Sequence, residues 1–164
     1  MNSTKRLTYV TMLSAMAIVI NIFESAFIPP ISFGIRFGLA NIIALITLEF
    51  FGIKEMIIVN SMRVIIGSLL RGWLFGTTFW ISFGGVLLSS IVLIIVYYLK
   101  SSIIFKSVMS AFAHSIGQVL VVMLMYSQKS MAVYIPVLLM TAIPTGALTG
   151  FISTMVLKRV KIKK

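Results

Sequence analysis

Residues 54–72 read KEMIIVNSMRVIIGSLLRG, an apolar run with an arginine, Arg63, at its middle. About 20 predominantly apolar residues cross a bilayer as a helix, and an ionisable group at that depth marks a functional site by default. Asn60, Arg63, Gly67 and Arg71 recur at intervals of three and four residues. On a helix they draw one polar stripe down an apolar rod. That stripe has to face protein or water, so the stretch predicts a membrane helix with its inner face in a site.

The rest of the 164-residue chain follows the same plan, with 60% hydrophobic and 10% charged residues and a mean hydropathy of +1.12. Six apolar segments are expected as helices, near 8–28, 37–52, 54–72, 78–98, 103–126 and 132–157, which makes the chain an all-α membrane protein, a six-transmembrane-helix bundle forming one integral membrane domain over 1–164. The connections between segments are short and leave no room for a soluble domain. With no cysteine there is neither a disulfide frame nor a thiolate metal site. Lys5-Arg6 ahead of the first segment resembles the start of a signal peptide, but no small-x-small cleavage site precedes Pro29, so the segment is expected to remain as a helix.

A net charge of +11 would suggest nucleic acid in a soluble protein; here its distribution suggests membrane topology instead. With the N-terminus in the cytoplasm, ten of the 14 Lys and Arg fall inside: Lys5, Arg6, Lys54, Lys100, Lys106, Lys158, Arg159, Lys161, Lys163 and Lys164. Arg36, Arg71 and Lys129 fall outside, and Arg63 lies within the membrane. This bias satisfies the positive-inside rule and places both termini in the cytoplasm of a cell-membrane protein. The basic tail then contacts anionic lipid of the inner leaflet, and no nucleic-acid partner is expected.

Depth along the helices, at about 1.5 Å per residue, brings the polar residues toward one region. Arg63 lies roughly 14 Å from the inner end of its segment, and Arg71 emerges near the outer surface. His114 reaches the level of Arg63, with Gln118 one turn further out. Asn41 descends on the second segment, Thr141 and Thr145 on the sixth, and Asn21, Glu24 and Ser25 occupy the outer third of the first. Arg36 and Arg71 stand at the mouth of this outer-half cluster. Glu24 either faces a ligand or neutralises Arg36 or Arg71 as a buried pair; Asn21, Asn41, Thr141 and Thr145 serve either as ligand contacts or as interhelical hydrogen-bond links. His114 alone reads as a core histidine, and it becomes a candidate through Gln118 on its face and Arg63 at its depth. Glu49 and Glu55 read as structural charges at the inner surface, and Pro136 and Pro144 predict a bend in the last helix.

Absences narrow the chemistry. The chain has no Asp, so it lacks the aspartate-rich motif by which prenyl transferases hold Mg²⁺-diphosphate. It also has no G-x-x-x-x-G-K-[ST] phosphate loop. One His and three Glu on distant segments make a poor metal or acid–base set. No enzymatic activity, catalytic residue, metal or cofactor is expected.

The run IRFGLANI (35–42), RVIIGSLLRG (63–72), FGG (83–85) and AHSIGQ (113–118) resemble, in order, the membrane family labelled heptaprenyl diphosphate synthase component I, also called the Gx transporter family. The similarity covers roughly residues 10–155. That family in turn resembles the S components of energy-coupling factor (ECF) importers, six-helix proteins with cytoplasmic termini and an outward-facing ligand site. The resemblance implies an ECF S-component-like bundle and, as partners, a transmembrane coupling subunit and an ATPase pair. S components dock through small residues of the first helix, often spaced A-x-x-x-A; the nearest match here is Thr11 and Ala15, with Ser14 and Ala17 beside them, so Thr11, Ser14 and Ala15 are the expected coupling-subunit contacts.

The expected function is therefore a membrane subunit that captures a small-molecule ligand, anionic or amphipathic, from outside. Its candidate ligand-binding residues are Arg63, Arg71, Arg36, His114, Gln118, Asn41, Glu24 and Asn21, because guanidinium groups pair bidentately with phosphate or carboxylate. The family label points to an isoprenoid or quinone precursor. Two alternatives are a non-catalytic membrane partner of a polyprenyl diphosphate synthase or quinone-linked redox complex, and a self-sufficient carrier.

Overall fold

A computed structural model describes residues 3–27, 39–127 and 129–160. Six α-helices follow one another: α1 (Ser3–Phe27), α2 (Asn41–Phe51), α3 (Ile53–Leu70), α4 (Thr77–Tyr98), α5 (Ile103–Tyr126) and α6 (Ile135–Arg159), the last preceded by a 3-10 turn (Lys129–Tyr134). No strand occurs among the described residues. Helices α1, α4, α5 and α6 are long and apolar enough to cross a membrane, and the chain is an all-α membrane protein. Helix α3 has 18 residues, about 27 Å at 1.5 Å per residue, and carries Lys54, Glu55 and Arg63.

Helix α2 is shorter than the expected segment near 37–52, of which residues 37 and 38 lie outside the described residues. Its 11 residues extend about 16 Å, against a hydrocarbon core of about 30 Å. Its sequence, NIIALITLEFF, is apolar on most sides, with Asn41 and Glu49 toward its two ends, and such a helix belongs inside a bundle. Accordingly Ile43 to Leu48 are all buried, and α2 touches α1, α3, α5 and α6. A single residue, Gly52, joins it to α3 at φ +100°, a backbone conformation open to glycine and strained for other residues. Around this joint Leu45, Leu48, Met56 and Leu93 form one core cluster, while Val10, Ala17, Ile43 and Val59 form a second under α1.

The outside is apolar and the inside holds the polar groups. Met12, Met16, Val19 and Phe23 on α1, Leu124 on α5 and Met140 on α6 are exposed, whereas Glu24, Asn60, Arg63, His114 and Gln118 are buried. Lipid supplies no hydrophobic drive for helix association, so packing depends on close approach of small residues. A Cβ on Gly117 of α5 would lie 2.5 Å from the carbonyl oxygen of Gly84 on α4. A Cβ on Gly146 or Gly150 of α6 would lie 2.8 Å from Val108 Cα or 2.9 Å from Ile104 Cα of α5, and Ser107 and Thr149 share a hydrogen bond of 2.8 Å across that interface.

Two ion pairs fasten one end of the bundle. Arg6 at the start of α1 pairs with Glu55 at the start of α3 and donates to the Phe51 carbonyl at the end of α2; buried Lys106 at the start of α5 pairs with Glu49 of α2 and lies over the Tyr97 ring. These pairs give Glu49 and Glu55 the structural role expected of them. Helix α6 runs unbroken through Pro144.

Candidate functional site

The polar residues meet at the other end, in a cleft with about 370 Å³ of free space, part of it open to the surroundings. Helix α1 contributes Asn21 and Glu24, α2 Asn41, α3 Arg63 with Arg71 just past its end, α4 Ser82, and α5 His114 and Gln118; Ala40, Val64 and Val86 complete the wall. Chain direction explains the convergence. The odd-numbered helices arrive with their C-terminal parts, while α2 and α4 leave with their N-terminal parts.

Arg71 is held by three hydrogen bonds. Its Nε donates to the Gly67 carbonyl at 2.7 Å, one Nη to Ser25 Oγ at 2.6 Å and the other to Asn21 Oδ1 at 2.7 Å. The guanidinium also lies 5.6 Å from the Trp73 ring centre. The guanidinium and Asn21 Oδ1 both pack over Gly67, where an added Cβ would meet each at 3.5 Å, an ordinary van der Waals contact. Arg63, 3% exposed, donates from Nη1 to Asn41 Oδ1 at 3.1 Å. Glu24, Arg63, Arg71 and His114 each make further interactions. Among the described residues two guanidinium groups thus face one carboxylate, leaving one positive charge in excess even with His114 neutral. The N-terminus of α2, which has no side-chain cap, adds the positive end of a helix dipole. An anionic group would complement this excess of positive charge.

His114 and Gln118 are held against glycine. A Cβ on Gly85 would lie 2.8 Å from Gln118 Cγ and 2.9 Å from His114 Cε1, so both side chains press on the α4 backbone. We expect Gly85→Ala to displace these side chains, weakening anion binding about tenfold for a loss of about 1 kcal/mol of stability, at the low end for overpacking. Calorimetric titration and thermal melting of one preparation measure both effects.

Seven of the eight residues expected in the ligand site line the cleft: Asn21, Glu24, Asn41, Arg63, Arg71, His114 and Gln118. The eighth, Arg36, lies outside the described residues. Ser25 takes part through Arg71. Thr141 and Thr145 do not line it; their hydroxyls donate to the carbonyls of Leu138 and Thr141 in their own helix, and α6 packs on α5 and α2 away from the cleft. Ser82 lines the cleft unforeseen, because one serine in an apolar run is common in membrane helices; its signal is the alignment with Ser89 seven residues on. Of the three small residues expected to dock a partner, Thr11 and Ala15 are exposed on one face, four residues apart, while Ser14 is buried. Around the helix Ser14 lies about 60° from Thr11 and about 100° from Ala15, at the buried edge of that face. Among the described residues no three His or Glu side chains gather as a metal site.

No curated protein and no solved structure matches this chain significantly. A family model does match, that of heptaprenyl diphosphate synthase component I, over residues 13–156. The matched span takes in every described residue of the cleft and the glycine contacts between α4, α5 and α6 that shape it. The chain belongs to the heptaprenyl diphosphate synthase component I family.

Proposed function

We propose that this protein is a non-catalytic, substrate-binding subunit of an ECF-like importer, an S component in the cell membrane that takes up a small anionic or amphipathic ligand, such as an isoprenoid or quinone precursor, from outside. The observation that carries this reading is the excess of guanidinium, from buried Arg63 and half-buried Arg71, in a cleft lined by five helices, at the end opposite the basic residues Arg6, Lys54 and Lys106. By the positive-inside rule that basic end is cytoplasmic and the cleft opens outward. Thr11 and Ala15 offer a face on which the helix of a coupling subunit can approach closely, and a separate ATPase pair supplies the energy. The ligand residues are Arg63, Arg71, His114, Gln118, Asn41, Glu24 and Asn21.

A second reading is favoured by the family description, which names a component of a prenyl diphosphate synthase: a membrane partner that presents or receives an amphiphile for a soluble synthase. Co-purification in mild detergent separates the two. An ATPase pair with a coupling subunit is expected, whereas a soluble prenyl synthase in their place supports the second reading. Purified and reconstituted alone, the chain should bind its ligand without ATP-driven accumulation. A reporter fused after Lys164 should read cytoplasmic and one at Lys129 external; a C-terminus accessible from outside overturns the orientation.

A further inference from the structure

Beside the charged cleft lies a larger and almost wholly apolar groove between α3 and α4, with about 680 Å³ of free space including its open side. Ile57, Ile65, Phe83, Leu87, Ile91 and Ile94 line it. Val64 and Val86 line both spaces, so the groove and the charged cleft adjoin at these two side chains. The groove also continues the polar stripe of α3. Asn60 lies one turn from Arg63, is 3% exposed, and donates to Ser90 Oγ at 2.9 Å across the groove. Its buried Oδ1 has no hydrogen-bond partner among the described residues.

The cleft itself is narrow, with room between its side chains for about one ordered water. That enclosed space excludes a hydrocarbon chain, and a carboxylate or phosphate group, larger than one water, would reach the guanidinium groups from the cleft's open side. Two adjoining spaces of opposite character, one small and cationic, the other long and apolar, fit one class of molecule. Resting on the anion-binding reading above, we infer that the α3–α4 groove holds the apolar body of a single-chain anionic amphiphile whose charged group sits at Arg63 and Arg71, and that this ligand enters sideways from the membrane between α3 and α4. Its tail gains little from leaving lipid, which is equally apolar. Affinity therefore resides in the charged group, and the groove selects the shape of the chain.

The test uses the full chain in phosphatidylcholine nanodiscs with dodecyl phosphate carrying a diazirine at the chain end. Photolysis is expected to label residues 57–65 and 83–94, unlabelled dodecyl phosphate to compete, and Arg63→Ala to reduce labelling about 30-fold or more, the lower bound for truncating one side of a buried charge pair. Ile91 is exposed, so Ile91→Trp fills the groove without entering the core. It should abolish groove labelling while butyl phosphate, which has almost no tail, binds as before. Labelling of the groove that neither Arg63→Ala nor the competitor reduces, matched by a diazirine phosphatidylcholine, overturns the inference and identifies the groove as a lipid contact. Arg63-dependent labelling that lands on other helices also overturns it and leaves the anion-binding reading standing. Butyl phosphate binding that is insensitive to Arg63→Ala defeats the anion-binding reading itself.

Discussion

Arg63→Ala is expected to weaken binding of an alkyl phosphate by about 2–5 kcal/mol, the range for removing one partner of a buried, hydrogen-bonded charge pair, while the protein still folds. Arg63 contributes one of the two guanidinium groups set against Glu24 in the cleft. Its removal cancels the positive excess as well as a direct contact. Asn41 loses the donor it meets at 3.1 Å, but the amide remains beside an opening that water can enter. Arg63→Lys should recover part of the affinity, since it restores the charge without the planar fork that engages two oxygens at once. Titration and thermal melting on the same detergent preparation separate ligand contact from structural support. A lowered melting temperature with normal binding by the remaining folded fraction removes Arg63 from the site.

Gly117→Leu should be more damaging to the fold than any substitution of a cleft residue. The added Cβ alone lies 2.5 Å from the Gly84 carbonyl oxygen and 3.0 Å from the Gly84 carbonyl carbon and Gly85 Cα. All three are backbone atoms of α4, so no side-chain rotation relieves the contact. The helices must separate, and the interface loses the dispersion contacts that hold it in the absence of a hydrophobic drive. A loss of about 3 kcal/mol, the upper end for overpacking, is expected, seen as a drop in melting temperature and loss of a monodisperse peak in size-exclusion chromatography. Since α4 and α5 carry Ser82, His114 and Gln118, phosphate binding should fall as well. Leu120→Ala, at an exposed position on the same helix, should change neither quantity. If Gly117→Leu melts like the parent, the tight α4–α5 contact is not what holds these helices.

The helical class and most of the cleft were readable in the linear chain, and particular residues show why. Arg63 and Arg71 stand out because charges are rare in this sequence, and their spacing with Asn60 and Gly67 reports a common face. His114 and Gln118, four residues apart, follow from the same periodicity. Depth along each helix placed them at one level. The failures share a cause. Thr141 and Thr145 have a suitable depth but bond to their own helix on a face turned elsewhere, and Ser14, one residue from Ala15, is buried while Ala15 is exposed. Ser82, Val64 and Val86 carry no charge to distinguish them from the surrounding apolar residues.

What the sequence determined by itself is therefore the environment of each segment: an apolar outer surface, a polar stripe that must turn inward, and a basic end set apart from the candidate site. Each follows from the cost of placing one side chain in hydrocarbon or in water, a quantity that accumulates along the chain without reference to distant residues. Tertiary structure alone decided which stripes face one another. Each residue turns a helix face by 100°, so the meeting of Arg63, Glu24 and His114 depends on how every helix is rotated about its axis. That rotation is set by contacts between remote positions, above all the backbone approach of Gly84 and Gly85 to Gly117, and by the enclosure of the short helix α2 among its neighbours. The apolar groove beside the charged cleft belongs to the same class of fact: Ile57, Phe83 and Ile91 are ordinary membrane-helix residues in sequence, and only the packing of α3 against α4 makes them the walls of one space.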